Sequence, residues 1–171
     1  MKLTRPILKQ IIKESLEDEY KEKLLAIFKA GNHQQAIQLA RQVGVVDFLA
    51  GAKLTFTNLK DINLEGLNLS GANLLGSALT YANLTDANLT DANLTRTSWW
   101  RADLSGADLS GANLENANLS GANLSGANLY GTDLSNAELS NTDLSNADLS
   151  NADLFKANLY GTDLSGAYLK G

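Results

Sequence analysis

The sequence predicts a mainly β solenoid preceded by a small α-helical cap, and three observations carry that prediction. Residues 52–171 read as one five-residue unit, Ala-Asn/Asp-Leu-Ser/Thr-Gly/Asn, repeated 24 times without insertion or deletion. Leu fills the centre of 23 of the 24 units, from Leu54 to Leu169, with Trp99 as the exception. Two places before each centre stands a small residue (16 Ala, five Thr and Ser77), save only Ile62 and Leu67. Residues 1–51 follow a different grammar, with apolar residues recurring about every fourth place.

A period of five fits neither the 3.6 of an α-helix nor the 2 of a flat strand. Strict repetition at fixed spacing is the mark of a solenoid, in which each unit buries its apolar side only against its neighbours. We call the centre of each unit i. Positions i and i−2 are apolar or small in constant register, so they face inward. Positions i−1, i+1 and i+2 point outward or form the corners. Gly and Asn tolerate the positive φ of tight turns, and Asn, Asp and Ser bond to nearby backbone. Each unit therefore reads as a short extended piece followed by a turn. A buried Leu contributes roughly 1.5–3 kcal/mol, and here Leu sits on Leu from coil to coil. Ala and Thr at i−2 keep the interior narrow, with no ligand-sized space expected inside.

The units are cleanest at Ala107-Asp108-Leu109-Ser110-Gly111 and Ala122-Asn123-Leu124-Ser125-Gly126. This run resembles the pentapeptide-repeat proteins over about 70% of the chain. The resemblance implies a right-handed quadrilateral β-helix with four units per coil. The repeats would then make about six coils, a shaft about 25–30 Å long at roughly 4.8 Å per strand.

Composition sets the outer bounds. The chain of 171 residues has room for one domain, or a domain with a small cap. It has no Cys, so neither a disulfide framework nor a thiolate metal site is expected. No apolar run approaches the ~18 residues of a membrane span. The segment Met1 to Lys13 is too charged for a signal peptide, so a cytoplasmic location is expected. The net charge of −5 is unevenly placed: residues 1–51 carry eight Lys/Arg against six Asp/Glu, and residues 52–171 carry six against 13. An acidic shaft disfavours nucleic acid and anionic membrane as partners.

In residues 1–51, Pro6 suits a first helical position. Leu8, Ile12, Leu16, Tyr20, Leu24 and Phe28, with Ile11 and Ile27 alongside, predict an amphipathic helix over about 6–29. Ser15 with Asp18 offers an internal capping box that would divide it. Gly31 suits its C-cap. Asn32 with Gln35 predicts a capping-box start to a second helix over about 33–43, with Ala36, Ile37, Ala40 and Val43 inward and Gly44 at its end. Two readings stand for this segment. As a lid, it would cover the strand edge and apolar core of the first coil, with Val45, Val46, Phe48 and Leu49 as a plug. As a module, it would bind a partner. His33, the only histidine, is expected to be solvated in the first turn of the second helix.

Irregularities in the shaft carry the candidate sites. Residues 20 apart stack on one face in neighbouring coils. By that rule Leu75, Tyr81, Arg96, Trp100 and Arg101 form one exposed patch around the second and third coils. Trp, Tyr and Arg are the residue types enriched at interaction hot spots. Trp99 takes a Leu position in a narrow interior, where overpacking costs about 1–3 kcal/mol. Either the coil bulges there or Trp99 turns outward and enlarges the patch. At the other end, Phe155, Tyr160 and Tyr168 lie in the last coil and are candidates for end-to-end contact with a second copy, giving a homodimer. A third surface is acidic. Position i−1 holds Asn in 12 units, Asp in seven and Glu138 in one, with the acids beginning at Asp103. Asp133 stacks on Asp153 and Asp143 on Asp163, and like charges facing across strands repel unless solvated.

No catalytic constellation is visible. There is one isolated His, and no H-E-x-x-H, phosphate loop or dinucleotide turn, so neither an enzyme nor a cofactor site is expected. The nine-residue period of calcium-binding β-rolls is absent. Two functional classes follow. The first is a non-enzymatic scaffold or regulatory protein that binds a protein partner on its outer faces. The second comes from the resemblance alone, since some pentapeptide-repeat proteins present an acidic, DNA-like rod to DNA gyrase. Against it, the eight acids at i−1 are spread over all four faces, and no unit is interrupted by a projecting loop.

Overall fold

The computed structural model describes the backbone of residues 5–171 and the side chains of residues 17–171. The chain divides into two compact units, one ending at Phe48 and the other running Leu49–Gly171.

The first unit holds two helices, α1 (Arg5–Lys29) and α2 (His33–Val43). Helix α1 runs unbroken through Ser15 and Asp18, so these residues do not divide it. Its interior contains no Gly, and its single Pro sits in the first turn, where it costs no hydrogen bond. Of the expected apolar stripe, Leu24 and Phe28 are buried while Tyr20 is exposed. The side chains of Leu8, Ile11, Ile12 and Leu16 lie outside the described residues. Gly31 ends the helix at φ +89°, and the Asn32 N–H reaches back to the Ile27 carbonyl at 3.2 Å, satisfying an orphan acceptor. The expected capping box at Asn32 does not form: the side chain makes no cap bond, and only the backbone carbonyl receives the Ala36 N–H at 3.0 Å. Helix α2 buries Ala36, Ile37 and Ala40 but leaves Val43 exposed. Gly44 is left-handed, and the Val45 N–H bonds to Ala40 O at 2.9 Å. After the helix, Val45 and Phe48 are buried and Val46 is exposed. Phe48 meets Phe28 edge-on at 6.0 Å between ring centroids, and Lys21 Nζ pairs with Asp47 Oδ2 at 2.8 Å.

The second unit is a stack in which parallel bridges join residues 20 apart, from Lys53 with Asn73 to Asp148 with Tyr168. Twenty residues are four five-residue units, so four units make one turn. Each unit contributes a single bridged residue, at i−1, rather than a strand of several residues. The reason is arithmetic: the corner and its turn consume the rest of the period.

The backbone accounting in each unit is nearly complete, as burial demands. The N–H of i donates to the next coil, as Leu89 does to Asp108 O at 2.7 Å. The N–H of i+2 also donates to the next coil, as Asp91 does to Ser110 O at 3.0 Å. The N–H of i−1 donates to the previous coil, as Asn88 does to Leu67 O at 3.0 Å. The N–H of i−2 closes the corner turn, as Ala87 does to Leu84 O at 3.0 Å. That leaves the N–H of i+1. It is taken by the side-chain oxygen at i−1, as when Thr90 donates to Asn88 Oδ1 at 3.0 Å. The preference for Asn and Asp at i−1 thus has a structural cause: each satisfies the one backbone donor that no coil reaches.

The interior is the predicted column of leucines, closed by Ala and Thr. Buried hydroxyls at i−2 find carbonyls one coil back: Thr132 Oγ1 donates to Leu109 O at 2.9 Å and Thr142 Oγ1 to Leu119 O at 2.8 Å. Among the described residues, no buried side-chain nitrogen or oxygen lacks a partner.

Candidate functional site

Trp99 does not belong to the exposed patch; it is 0% exposed and points into the core. Its indole N–H donates to Thr97 Oγ1 at 2.7 Å. Thr97 in turn donates to Leu94 O in its own coil, unlike Thr132 and Thr142, which reach the coil before. Thr97 has rotated to serve as the acceptor that a buried indole requires. The ladder is not broken by the extra bulk, since Trp99 N–H still bonds Asn118 O at 2.7 Å and Ser98 still bridges both Ala78 and Asn118.

The next residue lies outside. Trp100 and Tyr81, 39% and 43% exposed, meet edge-to-face at 5.0 Å between ring centroids. The Arg101 guanidinium lies over the Trp100 ring at 4.7 Å, and Lys60 Nζ stands 6.0 Å from the Tyr81 ring. Lys60, Tyr81, Trp100 and Arg101 therefore form one continuous set of contacts along a corner. Leu75 and Arg96 occupy the corner at the other side of the same face, and the contacts of the Trp100 set do not include them. Leu75 is half-buried and Arg96 is exposed. With them stands Phe56, 76% exposed, which the repeat reading did not single out. Its ring crosses Gly76, where a Cβ would sit 2.6 Å from it.

Between these two corners the outward positions are Ala78 and Ser98, which interrupt the Asn/Asp row at i−1 and bridge to one another. Neither reaches the N–H of its i+1 residue. In consequence Thr80 and Trp100, one coil apart, have backbone N–H groups with no acceptor among the described residues. Of the other i+1 positions among the described residues, only Thr55 and Lys170, in the first and last coils, share that condition, because Lys53 and Tyr168 stand at i−1 there. The interruption at 78 and 98 is visible in the sequence. Its meaning is not, until the role of i−1 is known.

The corners themselves are strained. Position i+2 has positive φ throughout, which Gly, Asn and Asp tolerate and larger residues do not. Five residues of other types adopt it: Phe56, Tyr81, Arg96, Arg101 and Lys156, at φ of +54° to +59°. Four of these five flank the Ala78/Ser98 face.

The acidic candidates are spent on turn chemistry. Asp103, Asp133, Asp143, Asp153 and Asp163 each accept the N–H of their i+1 residue through Oδ1, at 2.8 to 3.0 Å. Asp103 also accepts the Asn123 amide from the next coil at 3.1 Å. The bridges place Asp133 on Asp153 and Asp143 on Asp163. Hydrogen bonds hold three of the i−1 carboxyls below their ordinary values: the Ser140 side chain and then Asn158 act on Glu138, the Ser150 side chain on Asp148, and the Ser165 backbone on Asp163.

In the last coil, Phe155, Tyr160 and Tyr168 are all exposed, and Leu159 and Leu169 are uncovered with them. Lys156 Nζ lies 5.0 Å over the Phe155 ring. The N–H groups of Leu154, Leu159, Leu164 and Leu169, whose counterparts earlier in the shaft all donate to a following coil, have no such acceptor among the described residues. In the first unit, an apolar hollow of about 200 Å³ is lined by Tyr20, Leu24, Ile27, Leu39 and Val43 with the stem of Lys23. His33 is not free in solvent as expected. Its ring rests on Phe28 at 4.5 Å, and burial lowers its pKa. Among the described residues, no group of three or more His, Cys, Asp or Glu is placed to hold a metal ion, and no helix is long and apolar enough to cross a membrane.

Comparison with known proteins agrees with this geometry. Pentapeptide repeats match in 8 copies, over residues 49–86, 57–96, 80–121, 100–136 and 132–171. No curated protein matches the chain. Among solved structures, the chain is similar to the pentapeptide repeat protein Rfr23 from the cyanobacterium Cyanothece 51142. The two are 33% identical with a TM-score of 0.52, covering 70% of this chain and 88% of that one. A pentapeptide repeat protein from Nostoc Pcc 7120 is 35% identical with a TM-score of 0.37, covering 78% of this chain and 92% of that one. QnrB1, a plasmid-mediated fluoroquinolone resistance protein, is 20% identical with a TM-score of 0.34, covering 74% and 87%. Its distance leaves it without weight here. The 20-residue ladder, the leucine column and the matched repeats lead to one conclusion: the chain belongs to the pentapeptide-repeat family, whose members form right-handed β-helices.

Proposed function

We propose that this chain is a non-enzymatic interaction protein, a right-handed quadrilateral β-helix of about six coils that offers its rigid outer faces to a protein partner. One observation carries the reading: the half-exposed Tyr81–Trp100 pair with Arg101 over the indole, on a shaft whose outward positions are mostly small polar residues. Large aromatic groups and Arg supply most binding energy at protein interfaces, at low entropic cost when already stacked. The leucine column and inter-coil ladder hold the cluster in place, so a partner meets a preorganised surface. The test is affinity capture from an extract of the source organism, with wild type beside a Trp100→Ala/Arg101→Ala double variant. A partner held by wild type and lost with the variant is the expected result; an identical set of partners removes the patch from the interface.

A second reading concerns assembly. The uncovered Leu159 and Leu169, the exposed Phe155, Tyr160 and Tyr168, and the unpaired N–H groups of the last coil favour end-to-end pairing with a second copy. The gyrase-directed alternative draws less support. Its acidic rod needs a continuous track of charge, and the i−1 acids fall on four separate columns, with their oxygens engaged in turns. Supercoiling by gyrase unchanged in the presence of the protein is the outcome expected.

A further inference from the structure

The face between the two bulky corners has a chemistry of its own, and it specifies more than a generic partner. Its floor is Ala78 and Ser98, the smallest i−1 residues of the shaft, on two consecutive coils. One wall carries Phe56, Leu75 and Arg96; the other carries Lys60, Tyr81, Trp100 and Arg101. From the floor, Thr80 and Trp100 present backbone N–H groups that an Asn, Asp or Glu oxygen occupies at every other i+1 position of the shaft save Thr55 and Lys170. Neither Arg96 nor Arg101 has a carboxylate within ion-pair distance among the described residues, although the shaft is acidic. Lys60 has only Asp61, at 4.0 Å.

We propose that this face binds an acidic, extended segment of a partner protein. The two free N–H groups lie one coil apart, roughly 4.8 Å, and take carboxylate or carbonyl oxygens in place of the missing Asn/Asp caps. Arg96 and Arg101 flank the segment from opposite corners and pair with its acidic side chains. Leu75 and Phe56 on one side, and Tyr81 and Trp100 on the other, take its apolar side chains. A basic segment is repelled by the same arginines. The four strained corner residues fit this assignment, because strain of that kind is retained where the side chain serves a purpose beyond the fold. The inference rests on the interaction reading above and adds the chemistry of the partner to it.

The test is selection of a random dodecapeptide display library on the full-length protein, followed by binding of the leading synthetic peptide to variants. The expected peptides carry at least two Asp or Glu together with a large apolar residue. Their affinity falls by about tenfold or more in Arg101→Glu and declines with added salt. It falls also in Ser98→Asn, which returns a side-chain oxygen to the Trp100 N–H while leaving every wall residue intact. Circular dichroism melts of both variants, unchanged or raised, separate loss of binding from loss of fold. Neutral or basic peptides that bind in a Trp100-dependent manner overturn the acidic assignment and leave the interaction face standing. Acidic peptides indifferent to both Arg101→Glu and Ser98→Asn overturn the placement. A library that yields nothing dependent on Trp100 overturns the interaction reading at this face as well.

Discussion

At the scale of single residues, two side chains answer to partners that lie close in the chain. Trp99 is accommodated because its indole N–H donates to the hydroxyl oxygen of Thr97, two places earlier. Removing that acceptor leaves a buried donor unpaired, which costs about 1–3 kcal/mol. Thr97→Val should therefore destabilise the shaft by that amount in urea melts, and should cost much less when Trp99 is already Leu. A double-mutant cycle measures the difference; additive effects would show that the indole bond contributes nothing. His33 is the second case. Burial against Phe28 lowers its pKa below the ordinary 6.5, so the unfolded chain binds more proton in the window between the two values. The stabilising contribution is complete above 6.5 and is lost as pH falls from there through the folded value. Helical melting temperature should drop over that window in wild type and stay flat in His33→Gln. An NMR titration midpoint at or above 6.5 would contradict the burial argument.

At the scale of the unit, position i−1 and position i+2 do different work. An Asn or Asp at i−1 caps the i+1 N–H, a bond with a net worth of about 0.5–1.5 kcal/mol. Asn88→Ala should cost about that much, since the Thr90 N–H and hydroxyl both bond Asn88 Oδ1. Ser98→Asn should add a similar amount by capping Trp100. At i+2, a side chain in the left-handed region costs about 1 kcal/mol. Arg96→Gly should accordingly raise the unfolding free energy by about 0.5–1 kcal/mol while weakening any ligand of that face. A variant that loses stability would show that Arg96 is held there by contacts rather than tolerated.

At the scale of the whole molecule, the shaft is a sum of near-identical interfaces between coils. Leu109→Ala, in mid-shaft, should cost about 2–5 kcal/mol by cavity formation, and its effect should propagate to both neighbouring coils in hydrogen exchange. Glu138, Asp148 and Asp163 have carboxyls held below their ordinary values by hydrogen bonds. Their contribution is present above those ordinary values and is lost as pH falls through the lower folded ones. All three are solvent-facing, so the acid limb of a melting curve should be shallow. For end-to-end pairing through the last coil, light scattering over a range of concentrations should give a rising mass that Leu169→Lys/Tyr168→Lys abolishes. A constant monomer mass would remove that reading.

The five-residue period alone decided the solenoid, the inward column from Leu54 to Leu169 and the small residues beside it, because each unit can bury its apolar side only against its copies. The sequence also determined where the surface would depart from its norm, at Tyr81, Arg96, Trp100 and Arg101. The direction of Trp99 was left open by the pattern; a hydroxyl two residues away turned it inward. Nor could the pattern show that the i−1 side chain caps a backbone donor. The significance of Ala78 and Ser98 therefore lies in the stacking of coils 20 residues apart, which leaves two N–H groups without acceptors. Local repetition determines what is buried, because burial repeats with the unit. What the outer faces can bind depends on residues brought side by side from different coils, and that adjacency exists only in the folded chain.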